Sequence, residues 1–97
     1  MEKHISIIVP CFNEEEVIGE SYRRIKNVLN DLHNPSEIIF INDGSRDNTE
    51  QLLSEIVESD SRVKLISFSR NFGHQNAVAA GINNCFGDMA VIIDADL

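Results

Sequence analysis

The stretch "EIIFINDGSRDNTEQLLSEIV" (residues 37–57) decides the fold. It opens with an unbroken apolar run, Ile38 to Ile41, which suits a strand buried on both faces rather than one with a wet side. Asp43 and Gly44 then close the run with turn residues. Leu52, Leu53, Ile56 and Val57 follow at helical spacing, and Asp47 to Thr49 supply start signals for that helix. A strand, a polar turn and an amphipathic helix in so short a span make one βα unit.

The same rhythm repeats on either side. "HISIIVP" (4–10) reads as a buried strand halted by Pro10. From Asn13 the period changes: Val17, Ile18, Tyr22, Ile25, Val28, Leu29 and Leu32 fall three or four apart and make one apolar stripe. Asn13 is the expected N-cap, with Glu14, Glu15 and Glu16 at the positive end of the helix. "VKLISFS" (63–69) is the third strand. A third helix is expected from about His74 to Asn84, with Val78, Ile82 and Cys85 on one side. "MAVIID" (89–94) is the fourth strand. The order β-α-β-α-β-α-β predicts an α/β fold, a Rossmann-like parallel sheet with helices on both faces. In such sheets ligands bind beyond the carboxyl ends of the strands.

Composition narrows the function. The 97 residues allow one small domain or part of a larger one, and 42% hydrophobic content is ample for a core. A net charge of −8 with acids spread along the chain argues against a nucleic-acid or anionic-membrane surface. A small anionic ligand stays open, provided a metal ion or a helix N-terminus meets its charge. Cys11 and Cys85 lie far apart, each beside a phenylalanine, and read as buried reduced thiols. Met1 to His4 run straight into a strand with no leader, and no apolar run approaches the roughly 20 residues of a membrane helix. The expected location is cytoplasmic. No repeat or linker divides the chain.

The strand ends carry the chemistry. After the first come Asn13 and Glu14; after the second, Asn42, Asp43, Ser45 and Asp47. After the third come Arg70, Asn71 and His74 around Gly73; after the fourth, Asp94 and Asp96. Each alone has a plain role as cap, turn or solvated charge, but all of them fall on one edge. Residues i and i+2 of an extended strand share a face and lie roughly 6.5–7 Å apart. Oxygens bind Mg²⁺ at about 2.1 Å. While the strand stays extended, Asp94 and Asp96 are therefore unequal: Asp96 holds the cation, and Asp94 meets a hydroxyl or a metal-bound water.

Four segments taken together, "IIVPCFNEEEVI", "IIFINDGSRDNT", "SRNFGHQNAVAAGI" and "GDMAVIIDADL", resemble the N-terminal part of inverting family 2 glycosyltransferases. The nearest branch holds dolichyl-phosphate mannose synthase and bacterial polyprenyl-phosphate glucosyltransferases. The resemblance implies a GT-A fold that binds a nucleotide-diphosphate sugar, a UDP- or GDP-hexose, with Mg²⁺ or Mn²⁺. It implies Pro10, Phe12 and Glu14 around the base and ribose, Asp43 on the base, and Arg70 near the phosphates. Asp94 and Asp96 become the D-x-D pair at ribose, diphosphate and metal. The implied acceptor is a polyprenyl phosphate, which would bring the parent enzyme to the cytoplasmic face of a membrane. One departure stands out: the family usually shows two acids before Gly-Ser, and here the first is Asn42.

The resemblance also implies that residues 1–97 are a truncated catalytic domain. They hold the donor half without the acceptor half, lack an assignable catalytic residue and are inactive alone. A four-stranded piece of a larger sheet is expected to self-associate through its uncovered edge. The alternative is a non-catalytic α/β nucleotide-binding or receiver-like module. A receiver needs acids after the first and third strands, where "FNE" and "SRN" stand. A dehydrogenase needs G-x-G-x-x-G where "PCFNEE" holds no glycine.

Overall fold

Every residue of β1 (Ile5–Cys11) is buried, and so is all of β2 (Ser36–Asn42) after its first residue, as unbroken apolar runs require. The computed structural model describes residues 3–96; Met1, Glu2 and Leu97 lie outside them, and with them the last residue of the D-A-D-L motif. The remaining elements are α1 (Ile18–Leu32), α2 (Thr49–Ser59), β3 (Val63–Ser67), α3 (His74–Asn84) and β4 (Met89–Ile92). The strands form one parallel sheet in the order β3-β2-β1-β4. Helices cover both faces. Ile7, Val9, Ile38 and Phe40 meet Ile18, Ile25 and Leu29 of α1 and Leu53 of α2. Ile8, Ile39 and Ile41 meet Ala77 of α3 on the other side. Phe40, wholly buried, is the largest side chain of this core.

The chain grows outward from β1 to β3, then crosses back through α3 to place β4 on the far side of β1. The carboxyl ends of β1 and β4 therefore flank the point where the winding reverses, where sheets of this kind open a crevice. At the opposite end of the sheet Glu37 is buried and fully partnered. It accepts hydrogen bonds from Ser6 Oγ (2.6 Å), Lys64 Nζ (2.8 Å) and the Phe86 N–H (2.9 Å). Burial pushes its carboxyl up, but these donors, Lys64 foremost, outweigh burial and hold it below the usual range.

Some local expectations change. Asn13 does not cap α1: it takes a left-handed conformation (φ 53°), and the helix begins at Ile18 without a side-chain cap. Glu14, Glu15 and Glu16 lie ahead of the helix, leaving Glu20 as the acid of its first turn. Val28 and Leu32, read as part of the stripe, are 58% and 51% exposed. The buried face of α3 is Ala77 and Gly81; Ile82 points to solvent. A close approach to the sheet needs small residues there, so the large apolar ones turn outward. β4 stops at the level of Ile8, two residues short of the expected strand, and its four residues are all exposed. Cys11 is buried as expected, Cys85 only half-buried, and both are free thiols. Among the described residues no helix is long and apolar enough to cross a membrane.

Candidate functional site: an acid-lined cleft at the reversal point

The loops at the carboxyl edge are laced to one another by short polar side chains. The Asn13 N–H donates to Ser45 Oγ (2.9 Å), and the Arg46 N–H returns a bond to Asn13 Oδ1 (2.8 Å). The Glu14 N–H donates to Thr49 Oγ1 (2.9 Å), whose own hydroxyl donates to Asp47 Oδ1 (2.6 Å). Asn13 thus joins the β1–α1 loop to the β2–α2 loop, which explains both its polar side chain and its left-handed backbone. Asn42, the departure from the family pattern, is buried and accepts the Ser45 N–H at Oδ1 (3.1 Å). An aspartate oxygen would accept the same bond, so the substitution leaves the turn intact.

A cleft of about 430 Å³ opens between these loops. Pro10, Phe12 and Glu14 line it from the β1 end, Asp43 from β2, Asn71, Gly73 and His74 from the start of α3, and Asp94 and Asp96 from the β4 end. Six of the seven residues expected from the sequence meet here. The seventh, Arg70, lines a neighbouring groove of about 500 Å³ that shares Phe12, and its guanidinium lies over the Phe72 ring at 4.7 Å.

Asp94 and Asp96 sit past the end of β4, in an irregular segment with a turn at 95–96. The premise of an extended strand is not met there, so the 6.5–7 Å spacing does not apply to this pair. Ala95 between them is buried in the core while both acids are exposed. The Ser21 hydroxyl of α1 holds the segment by donating to the Ala95 carbonyl. Ser21 escaped the sequence reading, although a buried serine within the apolar stripe of a helix, between Ile18 and Ile25, is the kind of signal that finds such a pin.

The electrostatics are one-sided. Four carboxylates line the cleft, and no lysine or arginine does among the described residues. Burial, then the nearby charges of Asp96 and Asp47, raise the Glu14 carboxyl above its ordinary range. Burial, and next Glu14, push the Cys11 thiol up to about 12, so it remains neutral and unreactive at pH 7. Among the described residues no group of three or more His, Cys, Asp or Glu side chains is arranged to hold a metal unaided. Asp94 and Asp96 nonetheless bring hard oxygen donors to the cleft, the ligand type of a cation whose other ligands come from phosphate oxygens. An anionic diphosphate entering this cleft would need such a cation beside it.

A parallel sheet with this strand order, and a crevice at its reversal point, defines a Rossmann-like α/β domain. Its family is glycosyl transferase family 2: that family's model matches residues 6–97, and the chain belongs to it. The receiver-like and dehydrogenase-like alternatives are thereby set aside. The chain is 50% identical over its whole length to an uncharacterized glycosyltransferase of Bacillus subtilis (strain 168), YkcC, of which it covers 31%. It is 43% identical over 96% of its length to the bactoprenol glucosyl transferase of Shigella phage SfV, covering 30% of that protein. Among solved structures, the mannosyltransferase PcManGT of Pyrobaculum calidifontis in complex with GDP-Man and Mn²⁺ superimposes with a TM-score of 0.85. That match has 23% identity and covers 99% of this chain and 28% of the other. S. aureus TarS 1-349 in complex with UDP-GlcNAc gives a TM-score of 0.79 at 24% identity, covering 99% of this chain and 27% of the other. At these identities the two structures establish the fold alone. The chain spans about 30% of the length of the curated relatives it matches.

Proposed function

We propose that this chain is the donor-binding half of a glycosyltransferase that moves a hexose from a UDP- or GDP-linked donor to a polyprenyl phosphate, with inversion at the anomeric carbon. The observation that carries the reading is the acid-lined cleft at the reversal point of a family 2 domain. Pro10, Phe12 and Glu14 border the base and ribose. Asp43 keeps acceptor capacity for one donor from the base, because a carboxylate offers about four lone-pair sites and three are occupied by the protein. Asp94 and Asp96 would together meet the ribose and hold Mg²⁺ or Mn²⁺, and Arg70 approaches the phosphates from the neighbouring groove. The bound cation would neutralise the diphosphate as a leaving group. The acceptor's phosphate oxygen attacks the anomeric carbon as its bond to the diphosphate breaks, the electrons leaving with the nucleoside diphosphate. This chain binds and orients the donor; no side chain in it is assigned as a catalytic residue. The names of the bactoprenol glucosyl transferase relatives support the acceptor class; a lipid-linked acceptor would bring the reaction to a membrane, with the cytoplasmic face as the expected side.

Calorimetry on the full-length protein tests this. UDP, GDP and their hexose conjugates are titrated with and without Mn²⁺. One nucleotide series binds with Mn²⁺, and Asp96→Ala weakens that binding at least about tenfold, or about 1.4 kcal/mol. Binding unchanged in D96A overturns the metal assignment, and no binding in either series overturns the donor class.

A further inference from the structure

The Asp43 carboxylate spends most of its hydrogen-bonding capacity on the protein itself. Oδ1 accepts the Phe72 N–H (2.8 Å), while Oδ2 accepts the Gly73 N–H (3.1 Å) and the Asn71 side-chain amide (3.2 Å). The same Asn71 amide also reaches the Asp43 backbone carbonyl at 3.2 Å. All of these donors belong to the β3–α3 loop, and Asp43 is only 4% exposed. Gly44 continues the contact. A Cβ there would lie 2.2 Å from the Arg70 carbonyl carbon and 2.4 Å from the Asn71 nitrogen, and its φ of +71° already disfavours a side chain. The Asp-Gly pair is therefore a seat into which the backbone of residues 70–73 is pressed.

We infer that Asp43 is a positioning residue whose carboxylate, with Gly44 beneath it, fixes the β3–α3 loop and so sets where Asn71 and His74 stand in the cleft. Three charge-assisted bonds converge on one buried carboxylate, two of them from adjacent backbone amides, an arrangement that leaves the loop a single height above the sheet. The amides of Phe72 and Gly73 lie immediately before α3, so the start of that helix is held by the same group. His74, its first residue, stands in the cleft with Asp94 and Asp96. Loss of the carboxylate would loosen that wall in addition to any contact it makes with a base. An asparagine cannot substitute. It offers one acceptor oxygen, and its amide nitrogen would face a donor in place of an acceptor.

The inference concerns the site of the proposed function, and two readouts keep the two ideas separable. In the full-length protein, hydrogen–deuterium exchange of residues 70–76 is followed by mass spectrometry in the wild type and in D43N. Nucleotide affinities are measured in parallel. Positioning predicts exchange in that segment at least about tenfold faster in D43N, the loss of roughly one charge-assisted bond's net worth, with β1 and β2 as protected as before. It also predicts that the nucleotide series the wild type binds weakens in D43N while the other stays unbound, so that the selectivity between bases is kept. Asn71→Ala, which removes one donor and leaves the carboxylate, gives a smaller increase in exchange over the same segment. Unchanged exchange at 70–76 in D43N overturns the inference, and so does a change in base selectivity with the loop still protected. Should the wild type bind no nucleotide, the donor reading fails while the exchange result still decides the role of Asp43.

Discussion

The hydroxyl of Ser21, the fourth residue of α1, donates to the carbonyl of Ala95, the residue between Asp94 and Asp96. Both partners are 3% exposed. One buried bond therefore ties the position of the acid pair to the helix that covers the sheet.

Ser21→Ala leaves the Ala95 carbonyl buried without a donor, which costs about 1–3 kcal/mol. Chemical denaturation of the variant reads that loss. Donor binding in the presence of Mn²⁺ weakens as well, because the acids on either side of Ala95 are released. A variant with wild-type stability and wild-type metal-dependent binding would show the bond to be idle.

Gly81 packs against the sheet so closely that an added Cβ would stand 2.5 Å from Ile8 Cγ2 and 3.0 Å from Ile41 Cδ1. Gly81→Ala adds up to about 1 kcal/mol of helix propensity. It also forces Ile8 to move, at a cost of typically 1–3 kcal/mol for overpacking. The balance is destabilising by up to about 2 kcal/mol, and Gly81→Val is worse. A thermal midpoint raised by G81A would mean that α3 can retreat from the sheet.

Tyr22 donates to Asp60 Oδ2 at 2.7 Å, and Arg62 Nη2 approaches the same oxygen at 3.2 Å. Burial pushes the Asp60 carboxyl up, but Arg62 and Tyr22 more than reverse this and bring it to about 2. A depressed carboxyl stabilises the fold above its unfolded value of about 3.9, and that stability is lost as the pH falls through about 2. Burial first, then the bond to Asp60, push the Tyr22 phenol up to about 12. Its contribution is complete below about 10 and is lost as the pH rises through about 12. Denaturation midpoints across pH check both limbs: Asp60→Asn flattens the acid limb and Tyr22→Phe the alkaline one.

Met89, Val91 and Ile92 of β4 are 49%, 40% and 47% exposed, on a strand whose outer edge has no partner among the described residues. The isolated 97-residue polypeptide is expected to associate with itself through this edge. Sedimentation at micromolar concentration reads the association, and Ile92→Lys reduces it. A clean monomer in the unsubstituted chain would count against the expectation.

The seven elements were legible because their signals are local. Ile38 to Ile41, mostly β-branched and closed by Asp43 and Gly44, suit a strand buried on both faces, and Leu52, Leu53, Ile56 and Val57 fall on one side of a helix, as found. The third helix is found at His74–Asn84, as expected. Where a polar residue had two possible employments, the sequence was ambiguous. Asn13 has the composition of an N-cap, yet its side chain bonds across to Arg46, a choice made by a loop from another strand. Arg70 is adjacent in sequence to the cleft residues but belongs to the next groove, because its guanidinium settles on the Phe72 ring.

The sequence by itself determined the parallel α/β plan and the edge at which chemistry gathers, since apolar periodicity and the polar strand ends are properties of the chain alone. Tertiary structure alone decided which of those polar groups face a ligand and which hold the scaffold. Packing placed Ala77 and Gly81, not Val78 and Ile82, against the sheet. Strand order set β4 beside β1 and so brought Asp94 and Asp96 into the same cleft as His74. The carboxylate of Asp43, an evident site residue from its motif, turned out to be occupied chiefly by backbone amides about thirty positions away. Such assignments depend on distances between segments remote in the chain, which only the closed fold defines.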